Sequence, residues 1–304
     1  MARILITGSM GNIGHELQLE LLRRGHDVYG CDLHHSHKQN YRRCDVGQYR
    51  QVLELFKQFG DFDLVYHAGA EFGRANGEDF FEQLWTSNMI GTKNMLRLQK
   101  EYGYKMVFFS SSEAYGDYGH VMYESVPLDH PLRQLNSYAI SKSASELEVI
   151  NDSERYSLKN VRVRLFNTYG REMYNEYRSV IARFCYYVLH SKPYTVHLGH
   201  KRSFSYIDDT VNALANIISA FVPGNVYNIG DSTQYSIKYI SDLINKECGT
   251  DDSLVQYEDK EKLTTTEKAI SNHKASMELG YHKSIPIEEG IRRTVAWMRK
   301  IYNK

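Results

Sequence analysis

Tyr138 and Lys142 are the pair in this sequence whose types and spacing best suit proton transfer. They are four positions apart in the run YAISK, which places both on one face of a helix. A lysine ammonium beside a phenol lowers the phenol pKa and makes a phenolate base accessible near neutral pH. Because this spacing is also common by chance, the pair needs supporting context from the rest of the chain.

A glycine-rich turn near the start of the chain supplies the first context. The apolar run at 3–6 is typical of a strand, and TGSMGNIG follows it directly and leads into a helical pattern. In a strand-turn-helix unit of this kind, Gly8 allows a sharp turn, Gly11 lets backbone approach a pyrophosphate, and Gly14 lets the helix pack closely. The helix N-terminus then offers unpaired N–H groups to the phosphates.

An acidic residue extends this interpretation from phosphate to a complete dinucleotide. Asp32 ends the second predicted strand, 18 residues beyond Gly14 and close to the ~20 expected for the carboxylate that holds an adenosine ribose. Such a carboxylate accepts from both ribose hydroxyls and repels a 2′-phosphate, which favours NAD over NADP. Arg42 and Arg43 would favour NADP if they folded back onto the ribose. A nucleotide turn without a cofactor is the remaining alternative.

The periodicity of the chain predicts an α/β fold with a parallel sheet. Strand and helix patterns alternate on a short repeat as far as residue 170, which is typical of a Rossmann-type doubly wound sheet. The predicted strands are 3–6, 27–31, one ending at 44–46, 63–67, 105–109 and 161–166. The predicted helices include 49–59, a helical segment over 80–102, and 137–156.

The alternation breaks after residue 170, which predicts a second lobe. Residues 171–202 and 231–304 carry isolated helices and short strands, whereas 203–230 resemble a helix and strand that return to the sheet. We therefore expect a dinucleotide-binding domain over 1–170, rejoined by 203–230, and a smaller, discontinuous substrate-binding lobe over 171–202 and 231–304.

Composition argues against several classes of partner. Lysine plus arginine and aspartate plus glutamate are 37 each in 304 residues, so neither nucleic acid nor a membrane surface is an expected partner. The four cysteines are scattered, which predicts a reducing compartment and no structural metal. The start of the chain directly on a strand, and the lack of an apolar run near ~20 residues, favour a cytoplasmic protein.

Together these motifs resemble the extended short-chain dehydrogenases/reductases, in particular the NAD-dependent epimerase/dehydratase family that acts on nucleotide sugars. The resemblance covers nearly the whole chain. It rests on TGSMGNIG, Asp32, the HAGA turn at 67–70, Asn88 with Gly91 and Thr92, SSSEAYG at 110–116, YAISK, RLFNTYG at 164–170, KRSFSYIDD at 201–209, and the LGY segment before IPIEEG.

The resemblance implies a role for each matching residue. Tyr138 would remove a sugar hydroxyl proton while hydride passes to NAD, Lys142 would bind the nicotinamide ribose, and Ser111 would hydrogen-bond the same hydroxyl. Asn167 and Arg202 would contact the substrate diphosphate, since an arginine fork meets phosphate bidentately. Asp209 would be structural. The predicted cofactor residues are Gly8, Met10, Gly11, Asn12, Ile13, Asp32, Asp45, Val46, His67, Ala68, Gly69, Asn88, Ser110, Tyr138 and Lys142.

The run SSSEAYG bears on the reaction that follows oxidation. The family's 4,6-dehydratases carry an Asp-Glu pair, and Ser112 stands at the aspartate position, where a leaving hydroxide would need a proton donor. Glu113 is retained, as in decarboxylases of the UDP-glucuronate type, which favours their chemistry slightly. Against it, Arg171 and Glu172 stand where those decarboxylases carry Pro-Arg. A 4-epimerase, an NADP-dependent sugar reductase and a non-enzymatic NAD sensor are the alternatives.

Two further expectations concern a loop and the assembly. Glu71 directly follows the fourth strand and either faces the sugar or pairs with Arg74 to hold the loop, and the sequence leaves both open. The helices at 84–102 and 137–156 correspond to those that commonly pair into a four-helix bundle in this family. The resemblance therefore implies a homodimer.

Overall fold

The computed structural model of the protein describes residues 1–262 and 264–304. The chain forms two compact units, each assembled from three segments. The first unit comprises Met1–Ala114, Asn136–Leu165 and Val211–Tyr227, and the second comprises Tyr115–Leu135, Phe166–Thr210 and Asn228–Lys304. Among the described residues, no helix combines the length and apolarity needed to cross a membrane.

The strands and helices follow one another in short succession. The strands are β1 (Arg3–Thr7), β2 (Asp27–Asp32), β3 (Tyr41–Arg43), β4 (Leu64–His67), β5 (Lys105–Ser111), β6 (Asn160–Leu165), β7 (Thr168–Tyr169), β8 (Tyr194–His197), β9 (Lys201–Ser203), β10 (Ser205–Tyr206), β11 (Val226–Ile229), β12 (Gln234–Ser236) and β13 (Val255–Glu258). The α-helices are α1 (Asn12–Arg23), α2 (Tyr49–Phe59), α3 (Arg74–Asp79), α4 (Phe81–Trp85), α5 (Gly91–Tyr102), α6 (Val126–Asp129), α7 (Ser137–Tyr156), α8 (Val180–Leu189), α9 (Ile207–Asn216), α10 (Ile237–Cys248), α11 (His273–Leu279) and α12 (Ile287–Tyr302). A π-helical turn covers Thr86–Ile90, and 3₁₀ helices cover Ser112–Tyr115 and Asp252–Leu254.

The largest sheet in the described part of the chain confirms the predicted fold class. Its seven strands run in the order β11-β6-β5-β4-β1-β2-β3, and the pairs from β6 to β3 are parallel. The central strands are buried apolar runs, as a sheet covered on both faces requires. The strand order reverses direction between β1 and β4, and the carboxyl ends of strands at such a reversal are where doubly wound sheets bind ligands.

Two predicted elements of the first unit differ in detail from the structure. The helical segment predicted over 80–102 is divided into α4, the π-helical turn and α5. The third strand ends at Arg43, before the predicted 44–46, because the chain turns at Asp45, whose carboxylate accepts the Gly47 N–H at 2.8 Å. The helices predicted at 49–59 and 137–156 have the bounds of α2 and α7.

The second unit is built from small sheets and a helical layer. Three two-stranded sheets pair β10 with β7, β12 with β9, and β13 with β8, while α8, α10 and α12 pack on one another. The structure groups 115–135 and 203–210 with this unit, where the sequence analysis had placed them in the first. Long-range packing explains the first of these differences, since Tyr115, Met122 and Val126 share a core cluster with Phe166 and Ile270.

A buried ion cluster lies between α7 and β6 in the first unit. Arg164, 1% exposed, donates from Nε and Nη2 to the two carboxylate oxygens of Glu146 at 2.8 and 2.7 Å. Arg162 approaches the same carboxylate at 3.5 Å. Although burial opposes it, the Arg164 contact and charge hold the pKa of Glu146 below its usual range. One carboxylate therefore compensates two buried guanidinium groups.

We expect Glu146→Ala to lower the free energy of unfolding by about 3–5 kcal/mol, because it leaves buried arginine charge uncompensated. Chemical denaturation followed by circular dichroism measures this loss. The control is Asp242→Ala, which removes an exposed i,i+4 pair with Lys238 and should cost less than about 1 kcal/mol. Equal effects of the two substitutions would contradict the importance assigned to the buried cluster.

Candidate active site

The turn between β1 and α1 has the geometry that a pyrophosphate cradle requires. Gly8 has a φ of +69°, and a Cβ there would lie 2.8 Å from the Gly69 nitrogen, while a Cβ on Gly14 would lie 2.2 Å from the Gly8 carbonyl oxygen. Both positions therefore need glycine for the chain's own packing. A Cβ on Gly11 would have the Gly8 carbonyl oxygen, at 3.2 Å, as its single close neighbour among the described residues. That leaves an approach to the backbone open for a phosphate at the start of α1.

Asp32 lies at the end of β2, beside this turn. Its Oδ2 accepts the Met10 N–H at 2.9 Å and its Oδ1 accepts the Leu33 N–H at 2.7 Å. A cavity of about 440 Å³ adjoins it, lined by Leu33, Arg43, Asp45 and Gln51. A carboxylate at the mouth of a cavity next to a phosphate cradle suits the ribose and adenine of a dinucleotide.

The arginines that could have favoured a 2′-phosphate have other partners in the structure. Arg42 donates to the side chain of Gln58, and the Arg43 Nε donates to the Leu33 carbonyl at 2.9 Å. Asp32 therefore remains the charged group directly at the end of β2. These residues fit NAD, with the glycine turn holding its pyrophosphate and Asp32 its ribose.

The HAGA turn after β4 packs against the glycine turn. The His67 ring is buried, with Nδ1 2.9 Å from the Thr7 hydroxyl and Nε2 3.3 Å from the Thr92 hydroxyl. Burial, aided by the charge of Lys142, lowers the pKa of His67 to about 3, so the ring is neutral. The Gly69 N–H donates to the Thr7 hydroxyl at 2.9 Å. The predicted cofactor role of 67–69 thus falls on their backbone, while the His67 ring fixes the turn.

Asn88 lies in the π-helical turn and ties β4 to α7. Its amide exchanges hydrogen bonds with the Glu71 backbone, at 2.9 and 3.1 Å, and donates to the Ser141 hydroxyl at 2.9 Å. The Glu71 carboxylate accepts from the Asn76 amide at 2.6 Å. Cofactor contact by Asn88 and sugar contact by Glu71 stay predictions.

Tyr138 and Lys142 lie on the first turns of α7, as their spacing predicts. The Lys142 Nζ is 5.9 Å from the Tyr138 ring centroid and donates to the Phe109 carbonyl at 2.9 Å. Burial lowers the pKa of Lys142 to about 8, against the opposing charge of Glu146. Burial raises the pKa of Tyr138 to about 12, where a Ser111 hydrogen bond acts against the shift. Without a further positive charge, the phenol is therefore protonated near neutral pH.

The end of β5 brings the three predicted acid-base residues to Tyr138. Ser111, the last residue of β5, hydrogen-bonds Tyr138 and accepts the Glu113 N–H at 3.2 Å. The Glu113 carboxylate is close enough to add to the raised pKa of Tyr138. Ser112 is buried at the start of the 3₁₀ helix, and Ser110 is buried in β5. A hydroxyl, a phenol and a carboxylate thus meet at one point of the first unit.

Asn136 is a site residue that the sequence analysis missed. It is the N-cap of α7, where its Oδ1 accepts the Ala139 N–H, and its Nδ2 donates to the Glu113 carboxylate at 3.3 Å. Its identity as an N-cap could have been predicted, because asparagine commonly caps a helix. Its contact with Glu113, 23 positions away in the chain, had no signal in the sequence.

The predicted substrate residues of the second unit are held by backbone contacts. Asn167 has a φ of +32° and its Nδ2 donates to the Ser203 carbonyl at 2.9 Å. The Arg202 guanidinium donates to the carbonyls of Thr265 and Thr266, at 2.7 and 2.8 Å. Diphosphate binding by these two residues stays a prediction. Asp209 accepts the Ser284 N–H at 3.1 Å, a contact consistent with the structural role expected for it.

Comparison with known proteins identifies the family. The profile of the NAD dependent epimerase/dehydratase family matches residues 4–230. The chain belongs to this family. It is an enzyme of the nucleotide-sugar epimerase, dehydratase and decarboxylase group, and its cofactor is NAD.

Individual members of the family carry out different reactions. The chain is 28% identical to UDP-N-acetyl-alpha-D-glucosaminuronate decarboxylase of Bacillus cytotoxicus, over 99% of both chains. It is 29% identical to dTDP-D-glucose 4,6-dehydratase of Mus musculus, over 99% of this chain and 90% of that one. The NAD complex of UDP-glucose 4-epimerase from Thermus thermophilus has a TM-score of 0.87 at 26% identity, over 98% of this chain and 99% of that one.

We expect Asp32→Ala to weaken NAD binding at least tenfold, because the ribose hydroxyls lose a charged acceptor worth about 1.5–3 kcal/mol. Isothermal titration calorimetry measures this dissociation constant. Asp27→Ala is the control, because Asp27 begins the same strand at its opposite end and should leave binding unchanged. Unaltered affinity in Asp32→Ala would contradict the assignment of the ribose site.

Proposed function

We propose that this enzyme oxidises the sugar of a nucleotide-diphosphate sugar at C4 and then decarboxylates it, as a UDP-glucuronate decarboxylase does. The observation that carries the proposal is the carboxylate of Glu113, close to Tyr138 and held by Asn136. Ser112, which stands at the position of the dehydratases' aspartate, is buried. The site therefore offers one carboxylate beside the base and no aspartate at Ser112 to help expel hydroxide.

The oxidation step uses Tyr138 and Ser111. Tyr138 accepts the proton of the C4 hydroxyl, while the Ser111 hydroxyl, already bonded to Tyr138, hydrogen-bonds the same oxygen. NAD, when bound, supplies the hydride acceptor and adds positive charge. That charge lowers the pKa of the Tyr138 phenol from its raised value toward neutrality. Lys142 contributes a second positive charge, held in place by the Phe109 carbonyl.

The C4 ketone then makes loss of the neighbouring carboxylate possible. The bond from C5 to the carboxylate breaks, carbon dioxide leaves, and the electron pair passes into the ketone as an enolate. We assign to Glu113 the delivery of a proton to C5, which regenerates the ketone. Return of hydride to C4 and of the proton from Tyr138 to the C4 oxygen completes a pentose product, with atoms and electrons in balance.

A 4-epimerase is the second candidate, supported by the similarity to the Thermus thermophilus enzyme. It would share the oxidation step and the roles of Tyr138, Ser111 and Lys142. The ketone would instead rotate and accept hydride on its opposite face, so C5 would keep its substituent. Such a reaction needs no proton at C5. It therefore leaves Glu113 without a chemical role.

Product mass separates these outcomes. Purified enzyme is incubated with NAD and UDP-glucuronate, UDP-glucose or dTDP-glucose, and we expect UDP-glucuronate to lose carbon dioxide. Tyr138→Phe should slow turnover by about 10²-fold or more, since it removes the general base, while still binding NAD. An unchanged mass with an inverted C4 would establish the epimerase instead. Full turnover by Tyr138→Phe would overturn the shared oxidation step.

We also propose that the enzyme is a homodimer formed through α5 and α7. These helices pack on each other in the first unit. Ile140 and Leu147, seven positions apart on one face of α7, are 45% and 64% exposed, and Ile90 just before α5 is 47% exposed. Apolar side chains repeated along one helical face favour burial against the same face of a second copy.

We expect Leu147→Arg to convert the dimer into a monomer, because a charge would be placed in the apolar contact. Solution mass at micromolar concentration, by light scattering, measures the change. Leu19→Arg is the matched control, because Leu19 on α1 is 49% exposed and lies on another helix. A wild-type chain that is already monomeric would refute the proposed assembly.

The cysteines support a proposed location in the reducing cytoplasm. Cys31, Cys44, Cys185 and Cys248 are all free thiols in the described structure, and the first three are buried. Buried free thiols act as small apolar side chains and need no oxidising environment.

A further inference from the structure

Asn136 makes two hydrogen bonds that point in different directions. Its Oδ1 accepts the Ala139 N–H at 2.7 Å and caps α7, two residues before Tyr138. Its Nδ2 donates to the Oε2 of Glu113 at 3.3 Å. The side chain is 5% exposed, so solvent competes little for either bond. One amide therefore touches both the helix that carries the base and the carboxylate beside it.

The capping role alone does not require asparagine. Serine, threonine and aspartate cap helices about as well, and each offers an oxygen acceptor for the Ala139 N–H. At neutral pH, aspartate offers no donor to a carboxylate, and a serine hydroxyl is too short to cap the helix and replace the amide at Glu113. Only the Nδ2 bond distinguishes asparagine at this position.

The first turn of α7 also has support that does not involve Glu113. The Ser137 N–H donates to the Glu78 carboxylate at 2.7 Å. In addition, a Cβ on Gly77 would lie 3.4 Å from the Tyr138 Cβ, so α3 packs directly on this turn. Because these contacts fix the start of α7, the bond between Asn136 and Glu113 can act on the carboxylate separately.

We propose that Asn136 is a positioning residue that holds Glu113 in register with Tyr138. It thereby couples the base of the oxidation step to the acid of the step that follows. This inference rests on the function proposed above and assigns it a further residue. Loss of the Nδ2 donor should leave oxidation intact and slow the chemistry that depends on Glu113.

Asn136→Ser tests this directly, because it keeps a cap and removes the donor to Glu113. We expect UDP-glucuronate to generate reduced nicotinamide at the wild-type rate in stopped-flow absorbance. Carbon dioxide release should then slow by about tenfold to a hundredfold, the scale expected for a displaced catalytic group, so the reduced form accumulates. The KM for UDP-glucuronate and the melting temperature should change little.

Two further variants separate positioning from a structural role. Glu113→Gln should give the same accumulation, and the double variant Asn136→Ser/Glu113→Gln should be no slower than Glu113→Gln alone, since the two residues act as one unit. Glu78→Ala weakens the start of α7 without touching Glu113. It should lower the melting temperature and slow both steps together.

Each contrary result overturns the inference in a recognisable way. Wild-type carbon dioxide release in Asn136→Ser, or a pattern like that of Glu78→Ala, would show that Asn136 is only a cap while the proposed function stands. Full turnover by Glu113→Gln would remove the group that Asn136 positions but leave the oxidation step. Absence of reduced nicotinamide in the wild-type enzyme would instead overturn the proposed function itself.

Discussion

A buried ammonium group sets the conditions for the chemistry of the first unit. Lys142 is 4% exposed, and its burial lowers its pKa to about 8. The Phe109 carbonyl and the charge of Glu146 keep the protonated form accessible, and Glu146 is itself held by Arg164. The same burial moves the pKa of Tyr138 in the opposite sense, to about 12. The pair alone is therefore a poor base, and the positive charge of oxidised nicotinamide is what it lacks.

This dependence links cofactor binding to the activation of the base. The glycine turn, Asp32 and the cavity beside it bind the half of the dinucleotide that does no chemistry, and their distance from Tyr138 is bridged by the cofactor itself. A site arranged in this way is inactive until the cofactor is in place. The neutral, buried ring of His67 between Thr7 and Thr92 keeps the intervening backbone in position.

The parts of the fold and site that sequence predicts are those governed by short-range rules. Gly8, Gly14, Asp32 and the spacing of Tyr138 and Lys142 follow from backbone conformation and helix periodicity, and the structure places them together as expected. The contact of Asn136 with Glu113 joins residues 23 positions apart and depends on how β5 meets α7. Local propensity carries no information about such a contact.

Long-range packing also explains what the sequence did not predict about the rest of the chain. Residues 115–135 contain no pattern that assigns them to either unit, and only their cluster with Phe166 and Ile270 does so. Arg202 was predicted to meet a diphosphate, and the structure shows its guanidinium on the carbonyls of 265 and 266. A charged side chain can satisfy itself on backbone in ways that its residue type does not reveal.

The family's relatives share one fold and one cofactor across three reactions, so the fold does not determine the outcome. Its common element is removal of hydride from the sugar and its later return. A nucleotide sugar carrying deuterium at C4, such as labelled UDP-glucuronate, tests this most directly when the label is located in the product by nuclear magnetic resonance. The account predicts that the deuterium is retained at C4. Its appearance at C6 would contradict decarboxylation, and its loss to water would contradict oxidation by hydride transfer at C4.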